Sequence, residues 1–238
     1  MTYCVGLLLN RGIVMLSDTR TNAGVDNIST YRKMFTFEAP GERAVAIMTA
    51  GSLSVTQTAI ARIEEAIDDP DASSIMTAGT MLQVAEMVGE VLSTVSRDIT
   101  GRLSERGQSA RASMIVAGQR GGGTMRMFLI YPEGNFIEAT EDTPYLQIGE
   151  HKYGKPILDR VVTPETNLVD AQKAALLSMD STLRSNLSVG MPLDLVTIEA
   201  GACRISQRRR IEANDEVFHE MSQSWSRALR DAFANVEI

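Results

Sequence analysis

The chain has 238 residues, 44% of them hydrophobic and 22% charged, with a formal charge of −7 and a pI of about 5.0. That is enough apolar material for a sizeable core, and the acidic balance argues against nucleic acid or an anionic membrane as the main partner. Cys4 and Cys203 stand far apart in no CxxC spacing, so neither a disulfide framework nor a zinc site is signalled.

Tyr3 to Leu9 and Ile13 to Leu16 are apolar runs around the turn signal Asn10-Arg11-Gly12, which predicts a hairpin. A polar stretch from Thr19 to Thr30 leads to a third strand over Lys33 to Phe37. After Pro40-Gly41 a fourth strand runs from Ala44 to Thr49, and Gly51 closes the block. The period then changes. Val55, Ala59, Ile60, Ile63 and Ile67 recur at helical spacing up to Asp68-Asp69-Pro70. A second helix starts near Ala78 and carries Met81, Leu82, Ala85, Val88, Val91, Leu92 and Val95 toward Leu103.

Strand-like runs return over 112–117, 125–131 and 136–139. Gly121-Gly122-Gly123 reads as a hairpin turn, because no Lys-Ser/Thr follows to make it a phosphate loop. Helices are predicted over 155–161 and 168–187, a strand pair over 195–199 and 203–211, and a last helix over 215–234 with Asp215 or Asn214 as its cap. Single strands and helices do not alternate, which argues against a doubly wound parallel sheet. The order predicts an α+β chain with two stacked antiparallel sheets between helix layers. No linker or shift in composition divides residues 1–238, which read as a single domain.

No apolar run approaches the ~18 residues of a membrane span, and the first residues lack the basic start and long apolar region of a signal peptide. With two unpaired cysteines, a reducing compartment, the cytoplasm, is expected.

Thr2 carries the most chemical information. Removal of the initiator Met1 is favoured before a small residue and would put a hydroxyl and a free α-amine on Thr2. An α-amine titrates at about 7.7–8.0, so it can act as the base for its own hydroxyl. Asp18 ends the second strand and the hairpin brings it beside Thr2. If the third strand pairs alongside, Lys33 comes to the same end of the sheet. A buried lysine there would add positive charge near the Thr2 hydroxyl and amine and depress both pKa values. Taken singly these residues have plain readings, a small second residue and a surface strand-end ion pair worth little for stability. Their convergence on the N-terminus favours catalysis.

Thr2 followed by a hairpin, the run Ser17-Asp18-Thr19-Arg20-Thr21 with Gly24, the strand Arg32-Lys33-Met34, and Ala50-Gly51-Ser52 opening a helix resemble proteasome β-type subunits. The start Met1-Thr2-Tyr3-Cys4, the acidic composition and the length resemble the bacterial proteasome-related group called Anbu, the ancestral beta subunit. The resemblance implies a four-layer αββα sandwich of the N-terminal-nucleophile hydrolases. It assigns Thr2 as nucleophile, Asp18 and Lys33 as the acid–lysine pair, and the Gly51 N–H as oxyanion donor, with Thr21 and Asn22 along the edge that holds an extended substrate. It also implies a homo-oligomer of many subunits acting on a peptide or protein, with no cofactor. ATP-grasp-type ligases and transglutaminase-like proteins are implied as pathway partners.

Two departures from the family pattern stand out. Ile148-Gly149-Glu150-His151 replaces a Gly-Ser-Gly run, so Glu150 stands where a serine contacts the N-terminal amine. In Ser178-Met179-Asp180-Ser181, either Asp180 or Ser181 matches a family Asp or Ser, but not both.

His151 and His219 are the only histidines and no GxSxG occurs, which sets aside a Ser-His-Asp enzyme and a metal site. Cys4 reads as packing inside a strand. Arg208-Arg209-Arg210 reads as a solvated strand or an intersubunit contact, and Trp225 as an assembly contact or core. Three functions remain: a self-assembling threonine peptidase, a degenerate subunit that assembles as a scaffold or binding protein, and a non-peptidase amidase of the same class.

Overall fold

A computed structural model describes residues 2–22, 28–104 and 110–237. The amino-terminal half gives β1 (Tyr3–Leu9), β2 (Gly12–Asp18), β3 (Arg20–Asn22), β4 (Ile28–Thr30), β5 (Met34–Ala39) and β6 (Arg43–Gly51), then α1 (Leu53–Asp68) and α2 (Met81–Ser104). The remainder gives β7 (Ala112–Arg120), β8 (Arg126–Ile130), β9 (Phe136–Glu138), β10 (Tyr145–Gly149), α3 (Lys155–Val161), α4 (Leu168–Ser185), β11 (Leu193–Glu199), β12 (Gln207–Ile211) and α5 (Glu216–Ala234).

Two five-stranded antiparallel sheets form, one in the order β10-β1-β2-β11-β12 and the other β5-β6-β7-β8-β9. Three apolar cores separate four layers. Val45, Ile47, Val116 and Phe128 of the second sheet pack on Ile60, Val88 and Leu92 of α1 and α2. Met15, Met48, Ile115 and Met127 fill the space between the sheets. Val5, Leu7, Leu16 and Leu195 pack on Ala174, Ala175 and Met179 of α4, with Phe218 of α5. The result is the αββα sandwich expected from the sequence. It also explains why β1 and β2 read as continuous apolar runs: both faces of these strands are covered.

The structure departs from the sequence reading at several points, among them the unanticipated strand β10 beside β1 and the start of β12 at Gln207 where a strand from 203 was expected. The polar stretch after Thr19 contains the β3–β4 hairpin, with Thr21 opposite Ser29. Helix α2 begins at Met81 because residues 74–78 form a turn in which the Ser74 N–H donates to Thr77 Oγ1 at 2.9 Å, and Thr80 Oγ1 takes up the Gln83 N–H at 3.1 Å. Lys33 does not lie on a neighbour of β2; the strand it precedes, β5, belongs to the facing sheet, and β2 is flanked by β1 and β11.

Among the described residues no helix is long and apolar enough to cross a membrane. Arg208, Arg209 and Arg210 on the edge strand β12 pair within the chain with Glu38, Asp215 and Asp194 at 3.5, 2.8 and 3.2 Å.

Candidate active site

Thr2 precedes β1 and is held from two directions. The β1–β2 register sets Cys4 opposite Ser17, so Tyr3 falls beside Asp18, and the Tyr3 N–H donates to Asp18 Oδ1 at 3.1 Å. On the other side Tyr3 pairs with Gly149, and the Glu150 N–H donates to the Thr2 carbonyl at 2.7 Å. Gly149 has φ +84°, and a Cβ there would lie 1.9 Å from the Thr2 carbonyl oxygen. Only glycine allows Glu150 to approach so closely. Thr2 is 7% exposed.

Lys33 arrives from the facing sheet. Its own carbonyl accepts the Thr49 N–H at 2.9 Å, which ties it to the end of β6. Its ammonium crosses to Asp18 Oδ1 at 2.8 Å and donates to the Arg20 carbonyl at 2.5 Å. The lysine and the peptide N–H next to Thr2 therefore share one carboxylate oxygen. The other oxygen, Oδ2, takes the Gly190 N–H at 3.3 Å. Burial pushes the Asp18 carboxyl above its usual value, while Lys33 and the N–H groups of Tyr3 and Gly190 pull it back.

Gly51 ends β6, two residues beyond Thr49, and so lies at the same end of its sheet as Lys33. It has φ +111°, and an added Cβ would sit 2.4 Å from the Arg111 carbonyl. The next residue, Ser52, is the N-cap position of α1. Cys4 Sγ contacts the Thr49 carbonyl at 3.8 Å, joining the start of one sheet to the end of the other. Burial pushes the Cys4 thiol up, with the nearby Asp18 charge adding to it, so Cys4 remains a packed thiol.

The remaining sequence candidates fall as follows. Thr21 and Asn22 lie on β3, beside the Arg20 carbonyl that Lys33 reaches. Met1 and Gly24 lie outside the described residues. Asp180 is engaged elsewhere: its Oδ2 takes Arg184 Nε at 3.0 Å and its Oδ1 takes the Ser222 hydroxyl at 2.7 Å, which pins α4 to α5. Ser181 follows it, half-buried, on α4. The segment after α4 that touches Asp18 does so through Gly190, well beyond Asp180.

Sequence reasoning missed three partners. Gly190 is one, and its signal was the glycine after the last helical turn. The Arg20 carbonyl is another; a backbone atom leaves no trace in a sequence. The third is the set that fixes the residue after Thr2. The Tyr3 hydroxyl meets Ser178 Oγ at 2.6 Å and accepts from Gln147 Nε2 at 2.6 Å. Burial pushes this phenol up to about 12, so it stays protonated as a bridge between α4 and β10. Among the described residues, no cluster of three or more His, Cys, Asp or Glu is placed to hold a metal.

Four layers with this order of strands and helices define a proteasome-type chain. The family described as "Proteasome subunit" matches residues 2–198, and the chain belongs to it. Within that family it is similar along its whole length to Anbu proteins. It shares 47% identity with the Anbu (Gly-1) mutant from Hyphomicrobium sp. strain MC1, covering 100% of this chain and 99% of that one with a TM-score of 0.93. Anbu (ancestral beta-subunit) from Yersinia bercovieri is 42% identical over 99% and 98% of the two chains, TM-score 0.92. A chain of the helical assembly of the Anbu complex from Pseudomonas aeruginosa is 42% identical over 99% and 97%, TM-score 0.94. Curated proteins give no match.

Proposed function

We propose that the chain is a self-assembling, proteasome-like threonine hydrolase of the cytoplasm that cleaves an amide or peptide bond. With Met1 removed, the Thr2 α-amine takes the hydroxyl proton as the oxygen attacks the substrate carbonyl carbon. Lys33, held by Asp18, stabilises negative charge on that oxygen, and the Gly51 N–H takes the oxyanion. The proton passes to the leaving amine, and water then releases the acyl group from Thr2. Thr21 and Asn22 on β3 hold the extended substrate by strand addition.

One observation carries this reading. A lysine from the facing sheet is buried on the same carboxylate oxygen as the peptide N–H that follows Thr2. An ion pair of this burial is poor stability design and good site design. The test is acylation by a peptide β-lactone in Met1-free protein. Labelling at Thr2 is expected, abolished by Thr2→Ala and reduced by several orders of magnitude in Lys33→Ala with assembly intact. Labelling that survives Thr2→Ala would overturn the assignment.

A second reading, an assembling scaffold without turnover, is favoured by Glu150, whose backbone is bonded to Thr2. A carboxylate beside the α-amine holds it protonated and damps its basicity. Under that reading the wild type resists the β-lactone and Glu150→Ser gains labelling; a wild type labelled at Thr2 would remove the reading, and a Glu150→Ser protein as inert as the wild type would remove Glu150 as its cause. Homo-oligomerisation belongs to both readings, and relatives of this similarity include one described as a helical assembly.

A further inference from the structure

A single peptide group sets how Thr2 is presented. The carbonyl of the Thr2–Tyr3 peptide accepts the Glu150 N–H at 2.7 Å, and its N–H donates to Asp18 Oδ1 at 3.1 Å. These two bonds define a line from the segment after β10 across to β2, and a plane held at two points still tilts about the line between them. Both also lie at the start of β1, where strands open most easily.

The third fixed point is the Tyr3 side chain. It is fully buried and runs into the layer of α4, where its hydroxyl meets Ser178 Oγ at 2.6 Å and accepts from Gln147 Nε2 at 2.6 Å. Accepting from Gln147 leaves the phenol proton for Ser178. Ser178 is itself fully buried, and its carbonyl takes the Thr182 hydroxyl at 3.0 Å, one turn along α4. Gly154 closes over this pair: a methyl group there would strike both Ser178 Oγ and the Tyr3 hydroxyl. In sequence Gln147 and Gly154 flank Gly149 and Glu150, the residues that lie against Thr2. One buried hydroxyl thus ties the start of β1, the segment beside it and α4 at a single point. A phenylalanine would fill the same space, so packing accounts for the ring, and the hydroxyl is accounted for by what it fixes.

We infer that Tyr3 is a positioning residue, whose phenol, bonded to Ser178 and Gln147, holds the Thr2–Tyr3 peptide at the tilt that aims Thr2 at Lys33. The inference rests on the threonine-hydrolase reading and adds a residue to it. With that peptide fixed, Thr2 keeps only the rotations about its own Cα and Cβ. With the phenol released, the amine and hydroxyl of Thr2 swing together relative to a lysine held by Asp18 and the Arg20 carbonyl. Misplacement of this kind slows the chemical step without touching the groups that bind substrate.

The experiment follows acylation of Met1-free protein by a peptide β-lactone at increasing inhibitor concentration, together with amide hydrogen exchange. In Tyr3→Phe the limiting rate is expected to fall about ten-fold or more, with the half-saturating concentration within about two-fold of the wild type. The amides of residue 3 and Glu150 are expected to exchange about ten-fold faster, with Val14 in the middle of β2 unchanged. Ser178→Ala removes the other end of the same bond and carries the same expectations if Tyr3→Phe does not fold. Tyr145→Phe is the control. It deletes a hydroxyl on β10 that meets Asp159 and Lys155 instead, and both readouts are expected to stay at wild-type values. A folded Tyr3→Phe or Ser178→Ala protein that labels at the wild-type rate would overturn the inference, as would a Tyr145→Phe protein that loses as much. A wild type that takes up no β-lactone would overturn the threonine-hydrolase reading instead. In that case faster exchange in Tyr3→Phe upholds the phenol's hold on this segment, and unchanged exchange overturns the inference as well.

Discussion

At the scale of single residues, the site is an expensive arrangement held by many partners. Asp18 and Lys33 are 0% and 5% exposed and face each other at 2.8 Å. Because burial raises the Asp18 carboxyl above its unfolded value of about 3.9, this group favours the folded state below that value. The contribution is lost as pH rises through the raised folded value, so at neutral pH the ionised pair is a net cost. The combination Asp18→Asn with Lys33→Met is therefore expected to be as stable as the wild type or more so, by about 1–4 kcal/mol at pH 7. That advantage should narrow as pH falls through the raised Asp18 value. Lys33→Met alone strands a buried carboxylate and should cost about 3–5 kcal/mol. Urea denaturation of the three proteins across pH 4–8 checks both signs, and a less stable double variant at pH 7 contradicts them. Gly149 makes a second residue-scale case. A methyl group there collides with the Thr2 carbonyl at positive φ, so Gly149→Ala should lose the labelling of Thr2 while the sheets remain folded by circular dichroism.

At the scale of elements, the helices show what a sequence states plainly. Leu53–Asp68 lies where apolar periodicity put it, because it buries a stripe of Val55, Ala59, Ile60 and Ile63, while Lys155–Val161, helical over the residues expected, buries Leu158 alone. Asp215 caps α5 as anticipated, accepting the Phe218 N–H at 2.8 Å. That bond, with Arg209 beside it, holds the Asp215 carboxyl below the usual range. The folded value is depressed, so the cap's contribution is present above the unfolded pKa and is lost as pH falls through the folded one. Asp215→Ala should cost about 1 kcal/mol at pH 7 and progressively less below about pH 4, measured as a difference in urea midpoint. An unchanged difference at low pH would show that the side chain acts otherwise than as an ionised cap. The β3–β4 hairpin was not legible, since three-residue strands are too short to carry an alternation to read. Nor was the engagement of Asp180. A carboxylate near the end of a helix looks the same in a sequence whether it faces a nucleophile or, as here, Ser222 of the next helix.

At the scale of the whole molecule, the layering makes the site. The sequence suggested that Lys33 would reach Thr2 from an adjacent strand of the same sheet. The actual neighbour of β2 is β11, from the far end of the chain, and Lys33 comes across the sandwich from the other sheet. Pairing between distant segments is invisible to local pattern, whereas the hairpin that brings Asp18 to Thr2 is local and was read correctly. The consequence is that the placing of Lys33 beside Asp18 and the start of β1 depends on the contact between the two sheets, where Met15, Met48 and Ile115 pack. The most direct measurement is intact mass of the purified protein before and after a peptide epoxyketone, a reagent that closes a ring on an adjacent hydroxyl and free amine. The account predicts a starting mass lacking Met1 and an increase of one inhibitor per chain, confined to Thr2 by peptide mapping and absent from Thr2→Ala. Met1-free protein that gains no mass, or an adduct that persists in Thr2→Ala, would contradict it.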